Sequence, residues 1–224
     1  MKKMFFLLLL CVITTGIQAQ FRLGVTGGVA FTGTSTKDYV KVERIASPTF
    51  GVIAQFKLGP LALRPSFNFL SHGFNYTREA IRRATAAGNP DTLTKIISEV
   101  KTKNFEIPLD IVVPLKMKKG RLLFSFAPVI TIGFKGDSTT SGSQTAGSSS
   151  TIINQVNRAI DFGDNSLQIK RTSWGTRFGI GYEFRSGLQF NAGYKVGLTN
   201  LNNDGTTTKY HHFTLGLAWF LFKR

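Results

Sequence analysis

The chain has 224 residues, a formal charge of +16 and 42% hydrophobic residues, with 20 phenylalanines and a single cysteine. One cysteine excludes an internal disulfide and a multi-thiolate metal site. Basicity on this scale suits a nucleic-acid binder by number alone, but the export signal that opens the chain excludes nucleic acid as a partner.

Lys2 and Lys3 form a positive start, residues 5–13 an apolar core, and Ile17-Gln18-Ala19 a small-residue cleavage site. The pattern predicts a signal peptide over residues 1–19, with Gln20 first in the mature chain. Its apolar run is shorter than the roughly 20 residues a membrane helix needs. Cys11 is a poor lipidation site, because bulky Leu10 precedes it and cleavage there would leave Val12 and Ile13 at the mature end. Removal of Lys2 and Lys3 leaves a charge of +14, and residues 20–224 suit one domain.

That domain reads as eight segments with a period of two. The first, residues 20–32, alternates Phe21, Leu23 and Val25 with Arg22 and Thr26. After a polar connection over 33–46 come Phe50, Val52, Ala54, Phe56 and Leu58 against Gln55 and Lys57, and a turn at Gly59-Pro60. The third carries Leu61, Leu63, Phe67 and Phe69 on one face and Arg64, Ser66 and Asn68 on the other. A connection over 78–98 follows, and the composition of residues 77–84 favours a surface helix there. The fourth sets Phe105, Ile107, Leu109, Ile111, Val113 and Leu115 against Glu106, Asp110 and Lys116. The fifth alternates from Leu122 to Phe134.

Residues 136–151 are rich in Ser, Thr and Gly, the composition of a mobile linker. They open a connection over 136–167, within which residues 152–160 are apolar enough to fold locally. The sixth segment presents Trp174, Phe178, Ile180, Tyr182 and Phe184 against Arg177 and Glu183. Arg185-Ser186-Gly187 turns into the seventh, with Phe190, Tyr194 and Val196 opposed by Gln189, Asn191 and Lys195. Asn203-Asp204-Gly205 marks the last loop, before the eighth with Phe213, Leu215, Leu217, Trp219 and Leu221.

Strands with one continuous apolar, aromatic-rich face, joined alternately by short and long connections, predict an all-β fold. The architecture expected is an eight-stranded antiparallel up-and-down transmembrane β-barrel, greasy outside and polar within, in the outer membrane. Short turns then face the periplasm, and the connections over 33–46, 78–98 and 136–167 are extracellular loops. Trp174, Tyr182, Tyr194 and Trp219 are expected at the two membrane interfaces. A barrel of eight strands has room only for its own side chains or one small ligand. Arg22, Lys57, Arg64, Glu106, Asp110, Arg177, Glu183 and Lys195 are therefore expected to form an interior charge network with a structural role. Pro108, Pro114 and Pro128 inside strands signal missing ladder bonds.

Chemistry is not encoded in any motif. His72, His211 and His212 are the only histidines; adjacent strand residues face opposite ways, so His211 and His212 cannot share a metal, and both are expected near the loop end of the eighth strand. Residues 24–28 are glycine-rich, but no helix and no GK[ST] follow them, so they relieve crowding instead of cradling phosphate. No catalytic, cofactor or metal site is expected.

Several pieces resemble the PorT-like outer-membrane β-barrel proteins of Bacteroidota. They are Gly24-Val25-Thr26-Gly27-Gly28-Val29, Phe105-Glu106-Ile107-Pro108-Leu109, Ala127-Pro128, Phe178-Gly179-Ile180-Gly181-Tyr182-Glu183-Phe184, Gly193-Tyr194-Lys195-Val196-Gly197-Leu198-Thr199-Asn200 and Leu215-Gly216-Leu217-Ala218-Trp219. The resemblance implies an eight-stranded outer-membrane barrel without a catalytic motif, and a link to a secretion or gliding complex through the family's namesake. The expected function is non-enzymatic: loops presented to a protein partner or to lipopolysaccharide. A narrow pore and an outer-membrane lipid-modifying enzyme are the alternatives.

Overall fold

The computed structural model describes residues 21–35, 41–82, 92–146, 148–163, 165, 168–203 and 207–223. The expected signal peptide lies outside the described residues. Nine strands follow in order: β1 Phe21–Ser35, β2 Lys41–Leu58, β3 Leu61–Arg82, β4 Thr92–Met117, β5 Gly120–Ala146, β6 Ser149–Ala159, β7 Thr172–Phe184, β8 Leu188–Gly197 and β9 Lys209–Lys223. Neighbours pair antiparallel, β4 also pairs with β5, and β1 pairs with β9. Eight strands thus close into a ring, while β6 pairs only with the part of β5 from Asp137 to Ala146 and lies outside it. Closure leaves no strand edge within the ring, the condition hydrocarbon imposes on a sheet.

The period of two sets which way each side chain points. Along β4, Ile107, Leu109, Ile111, Val113 and Leu115 are exposed on the outside, while Glu106, Pro108, Asp110 and Val112 are buried within. Most of the large apolar residues lie outside as expected, including Phe50, Phe67, Phe124, Phe178, Phe190 and Leu217. Phe74 and Phe220 point inward at the two ends of the lumen, and Ile53, Leu70, Leu123 and Tyr210 are buried as well.

Short turns join β2 to β3, β4 to β5 and β7 to β8 at one end. Gly59 and Gly187 occupy two of them with φ of +62° and +90°, a conformation that side chains resist. At the other end the strands run further than alternation predicts. The segment expected as a loop over 33–46 is strand up to Ser35 and again from Lys41. Residues 77–82, expected to be helical, continue β3 and pair with β4; the rest of that helix falls outside the described residues. Of the expected linker over 136–151, residues 136–146 instead continue β5, bonded to β4 on one side and from Asp137 onward to β6 on the other, and residues 149–151 open β6. The reason is physical: beyond the membrane both faces of a sheet meet water. Apolar alternation therefore disappears while the backbone ladder goes on, and Thr-rich sequence is a good strand former there. Of residues 152–160, those up to Ala159 do fold locally, as part of β6.

Pro114 keeps its place opposite Leu123 in an unbroken ladder, whereas Pro128 lies at a gap in the pairing. The β4–β5 ladder passes from Pro108↔Val129 to Ile111↔Phe126 in one register, skipping the pairs around Pro128. A bulge in β9 opposite Leu23/Gly24 sets Phe222 opposite Leu23 and Phe220 opposite Gly24.

Glycines permit close approach along the seam where β1 meets β9. A Cβ on Gly28 would stand 2.1 Å from the Leu215 carbonyl oxygen, whereas one on Gly27 would meet only the Thr49 oxygen at 3.8 Å. Gly28→Ala is therefore expected to cost about 1–3 kcal/mol through backbone displacement, and Gly27→Ala close to nothing. Urea unfolding of the two variants in detergent micelles, followed by the heat-dependent gel mobility of folded barrels, checks the contrast.

Candidate functional site: the barrel interior

The inward side chains form stacked layers, which follow from strand register. Near the short turns, Glu183 receives Arg22 and Arg121 on Oε1, each at 2.9 Å, and Gln189 on Oε2 at 2.8 Å. The Arg22 guanidinium lies 4.3 Å from the centre of the buried Phe220 ring, and that of Arg64 lies 5.8 Å from it. A guanidinium over an aromatic face gains attraction where water is scarce. One layer further, Arg64 donates to Gln55 Oε1 from Nε at 3.2 Å and Nη2 at 2.8 Å, and Arg177 Nη2 holds Asp110 Oδ2 at 2.5 Å.

A cavity of about 100 Å³ adjoins Arg64, Asp110, Arg177, Asn68 and Asn191.

The next layer centres on Glu106. Lys195 bonds its Oε1 and also donates to Thr131 Oγ1 at 2.5 Å, while Thr131 donates to the same carboxylate oxygen at 3.1 Å. His72 Nε2 lies 3.6 Å from Glu106 Oε1, and His212 Nε2 lies 3.6 Å from Oε2. The two imidazoles meet at 3.1 Å between His72 Nε2 and His212 Nδ1. His72 also stacks on Tyr210, with ring centres 4.7 Å apart. Beyond them, Phe74, Val100, Leu201 and Tyr210 form an apolar cluster, with Ile160 and Ile169 packed against it. Segments from the β6–β7 and β8–β9 connections thus contribute to the interior at the wide end.

His72, His212 and Glu106 bring donor atoms within 4.8 Å of one another, a donor set that suits a divalent transition metal. The Lys195 ammonium, however, is already bonded to this carboxylate, so the positive charge that balances Glu106 comes from the chain itself. The arrangement is a polar network in which each buried charge has an opposite partner or a hydrogen-bonding one, while His72 Nδ1 and His212 Nε2 make no hydrogen bond.

Of the residues expected to form the interior network, Arg22, Arg64, Glu106, Asp110, Glu183 and Lys195 are buried, and Arg177 is partly buried. Lys57 is not: it has inward parity but stands beside the turn at Gly59, where its side chain reaches water. Lys116 is exposed at the same end for the same reason. His211 and His212 lie at the loop end of β9 and face opposite ways, His212 into the lumen against Glu106 and His211 only partly buried. Sequence reasoning missed the pairing of His72 with His212, although parity contained the signal. His72 is in phase with inward Arg64, Ser66 and Asn68, and His212 with inward Ala218 and Phe220. Trp174, Tyr194 and Trp219 are exposed on the outer face and Tyr182 partly so. Trp174 and Tyr194 stand toward the wide end, and Tyr182 and Trp219 near the short turns.

A closed ring with an apolar exterior and a charge-paired lumen defines a membrane-spanning β-barrel. The chain belongs to the family described as outer membrane protein beta-barrel domain, whose model matches residues 18–203. It is an outer-membrane β-barrel protein. Among solved structures, the chain is similar to Neisserial surface protein A, at 11% identity and a TM-score of 0.40, covering 88% of this chain and 96% of that one. It is likewise similar to Ail, the attachment invasion locus protein of Yersinia pestis, at 12% identity and a TM-score of 0.40, covering 91% and 100%. The translocator domain of autotransporter NalP from Neisseria meningitidis matches at 10% identity and a TM-score of 0.30, covering 97% and 95%. No curated protein sequence matches this one.

Proposed function

We propose that this protein is a non-enzymatic, non-conducting outer-membrane barrel that presents its wide end to a partner outside the cell. Residues 1–19 act as the export signal, the short turns face the periplasm, and the four interfacial aromatics Trp174, Tyr182, Tyr194 and Trp219 anchor the barrel in the bilayer. The observation that carries the reading is the sheet built by the far ends of β3, β4 and β5 together with β6. It extends the barrel wall with paired strands, and β6 bonds to the part of β5 that lies beyond its pairing with β7. A rigid, hydrogen-bonded extension presents a defined surface at lower entropic cost than a loose loop.

The salt-bridged lumen supports a plug in place of a water path, and its charges support rigidity in place of catalysis. An accessory role in a secretion or gliding complex of Bacteroidota is the form of this function that the PorT-like resemblance favours.

Replacing residues 137–159 by a short turn tests the reading. The shortened barrel is expected to fold and reach the outer membrane but to lose the partner that cross-links to the full-length protein there. Isolation of the full-length chain as a lone barrel after cross-linking would count against it. Planar-bilayer recordings of the intact protein are expected to be silent.

A further inference from the structure

We infer that the outer face of β4 and β5, at the rim of the wide end, is a binding site for the phosphorylated head group of an outer-leaflet glycolipid. Lys103 and Lys135 are direct cross-strand partners, and both are exposed. Like charges directly opposite one another on a sheet face are destabilising unless something neutralises them. Neither lysine has an acidic partner among the described residues. The lysines further out are treated differently: Lys101 pairs with Glu99 at 2.5 Å and Lys95 with Glu79 at 3.3 Å. Among the described residues, Lys103 and Lys135 are the cross-strand lysine pair that makes no ion pair, the exposed carboxylate two residues on, Asp137, standing opposite Lys101 instead.

The local backbone is built to make this pair. The register of β4 against β5 shifts between Lys103 and Asn104, so that Lys103 faces Lys135 while Asn104 faces Gly133. Phe134 is the extra residue. A bulge turns consecutive side chains to the same side, and here Phe134 and Lys135 are both exposed while Gly133 and Gly136 are buried behind them. Without the bulge, one of the two would point into the lumen.

What lies below the lysines names the ligand class. Phe134 stacks on Phe105 with ring centres 4.7 Å apart, Phe105 stacks on Phe67 at 4.9 Å, and Phe69 stacks on Phe50 at 5.0 Å and stands 6.0 Å from Phe134. Five rings thus tile the lipid-facing wall immediately under the paired cations. A free anion would use only the lysines; a nucleic acid or acidic protein would not sit at a membrane rim. A molecule carrying acyl chains below and a phosphate above satisfies both halves. The phosphate sits between the two ammonium groups, since lysine serves as a point-charge partner for phosphate.

This site rests on the outer-membrane barrel reading and specifies one of its contacts, independently of any protein partner. The test uses the full mature protein in phosphatidylcholine nanodiscs doped with diphosphoryl lipid A, with bound lipid counted by native mass spectrometry. Lipid A is expected to be retained at least tenfold over its bulk fraction. Lys103→Gln together with Lys135→Gln is expected to reduce that enrichment at least tenfold. Lys118→Gln with Lys119→Gln, at the short-turn end, is expected to behave as wild type. Heat-dependent gel mobility verifies that each variant is a folded barrel, and Lys103→Gln alone serves if the double variant fails to fold.

Three outcomes would overturn the inference. They are equal retention by folded K103Q/K135Q protein, equal retention of dephosphorylated lipid A by wild type, and displacement of lipid A by millimolar inorganic phosphate. Survival of the cross-linked partner complex in any of these cases would leave the presentation role standing while removing the lipid site.

Discussion

Glu106→Gln is expected to destabilise the barrel by about 3–5 kcal/mol, because it leaves the Lys195 ammonium buried against neutral groups. Lys195 is 2% exposed and Glu106 3%, so neither can recover its hydration by a small movement. The single change also removes the carboxylate beside both His72 and His212. Lys195→Met is expected to cost a comparable amount for the mirror reason, the anion then being the group stranded. The double variant Glu106→Gln with Lys195→Met is expected to recover most of the loss, since removing both charges of a buried pair is often close to neutral. Urea titration in micelles across the four proteins gives the coupling energy as a double-mutant cycle. Additive losses would show that the two residues do not act as a pair.

Phe220→Ala is the second large effect, expected at about 3–5 kcal/mol from lost apolar burial and the cavity left behind. The ring is 2% exposed and lies under two guanidinium groups, so its removal also uncovers one face of Arg22 and Arg64. Phe220→Leu separates the two contributions. It retains most of the volume but has no aromatic face, and it is expected to fall between wild type and Phe220→Ala. The same unfolding titration checks both. A Leu variant as stable as wild type would assign the ring a packing role alone.

Alternation made most of the interior legible before any contact was known. Parity points Arg64, Glu106, Asp110, Arg177, Glu183 and Lys195 inward, and each lies inward. Lys57 shows the limit of that rule. Parity gives direction but not depth, and a side chain two residues from a turn reaches solvent whichever way it points. The bulge at Phe134 shows another limit, because a single extra residue reverses parity for everything beyond it. The Ser/Thr/Gly stretch failed for a third reason. Composition reports which faces are apolar, and a strand wet on both faces gives no such signal even when its backbone is fully paired.

What the chain carries locally is therefore the number of ring strands, the face each side chain takes and the end at which the short turns sit, since all three follow from a two-residue repeat and its punctuation. Which inward residues meet is a property of closure alone. Glu106 finds Lys195 at 89 residues' separation and His72 finds His212 at 140, because the stagger of strands around the ring sets their heights, and no stretch of sequence contains that stagger. The same holds for Lys103 and Lys135, whose juxtaposition depends on one bulged residue in a ladder between two strands.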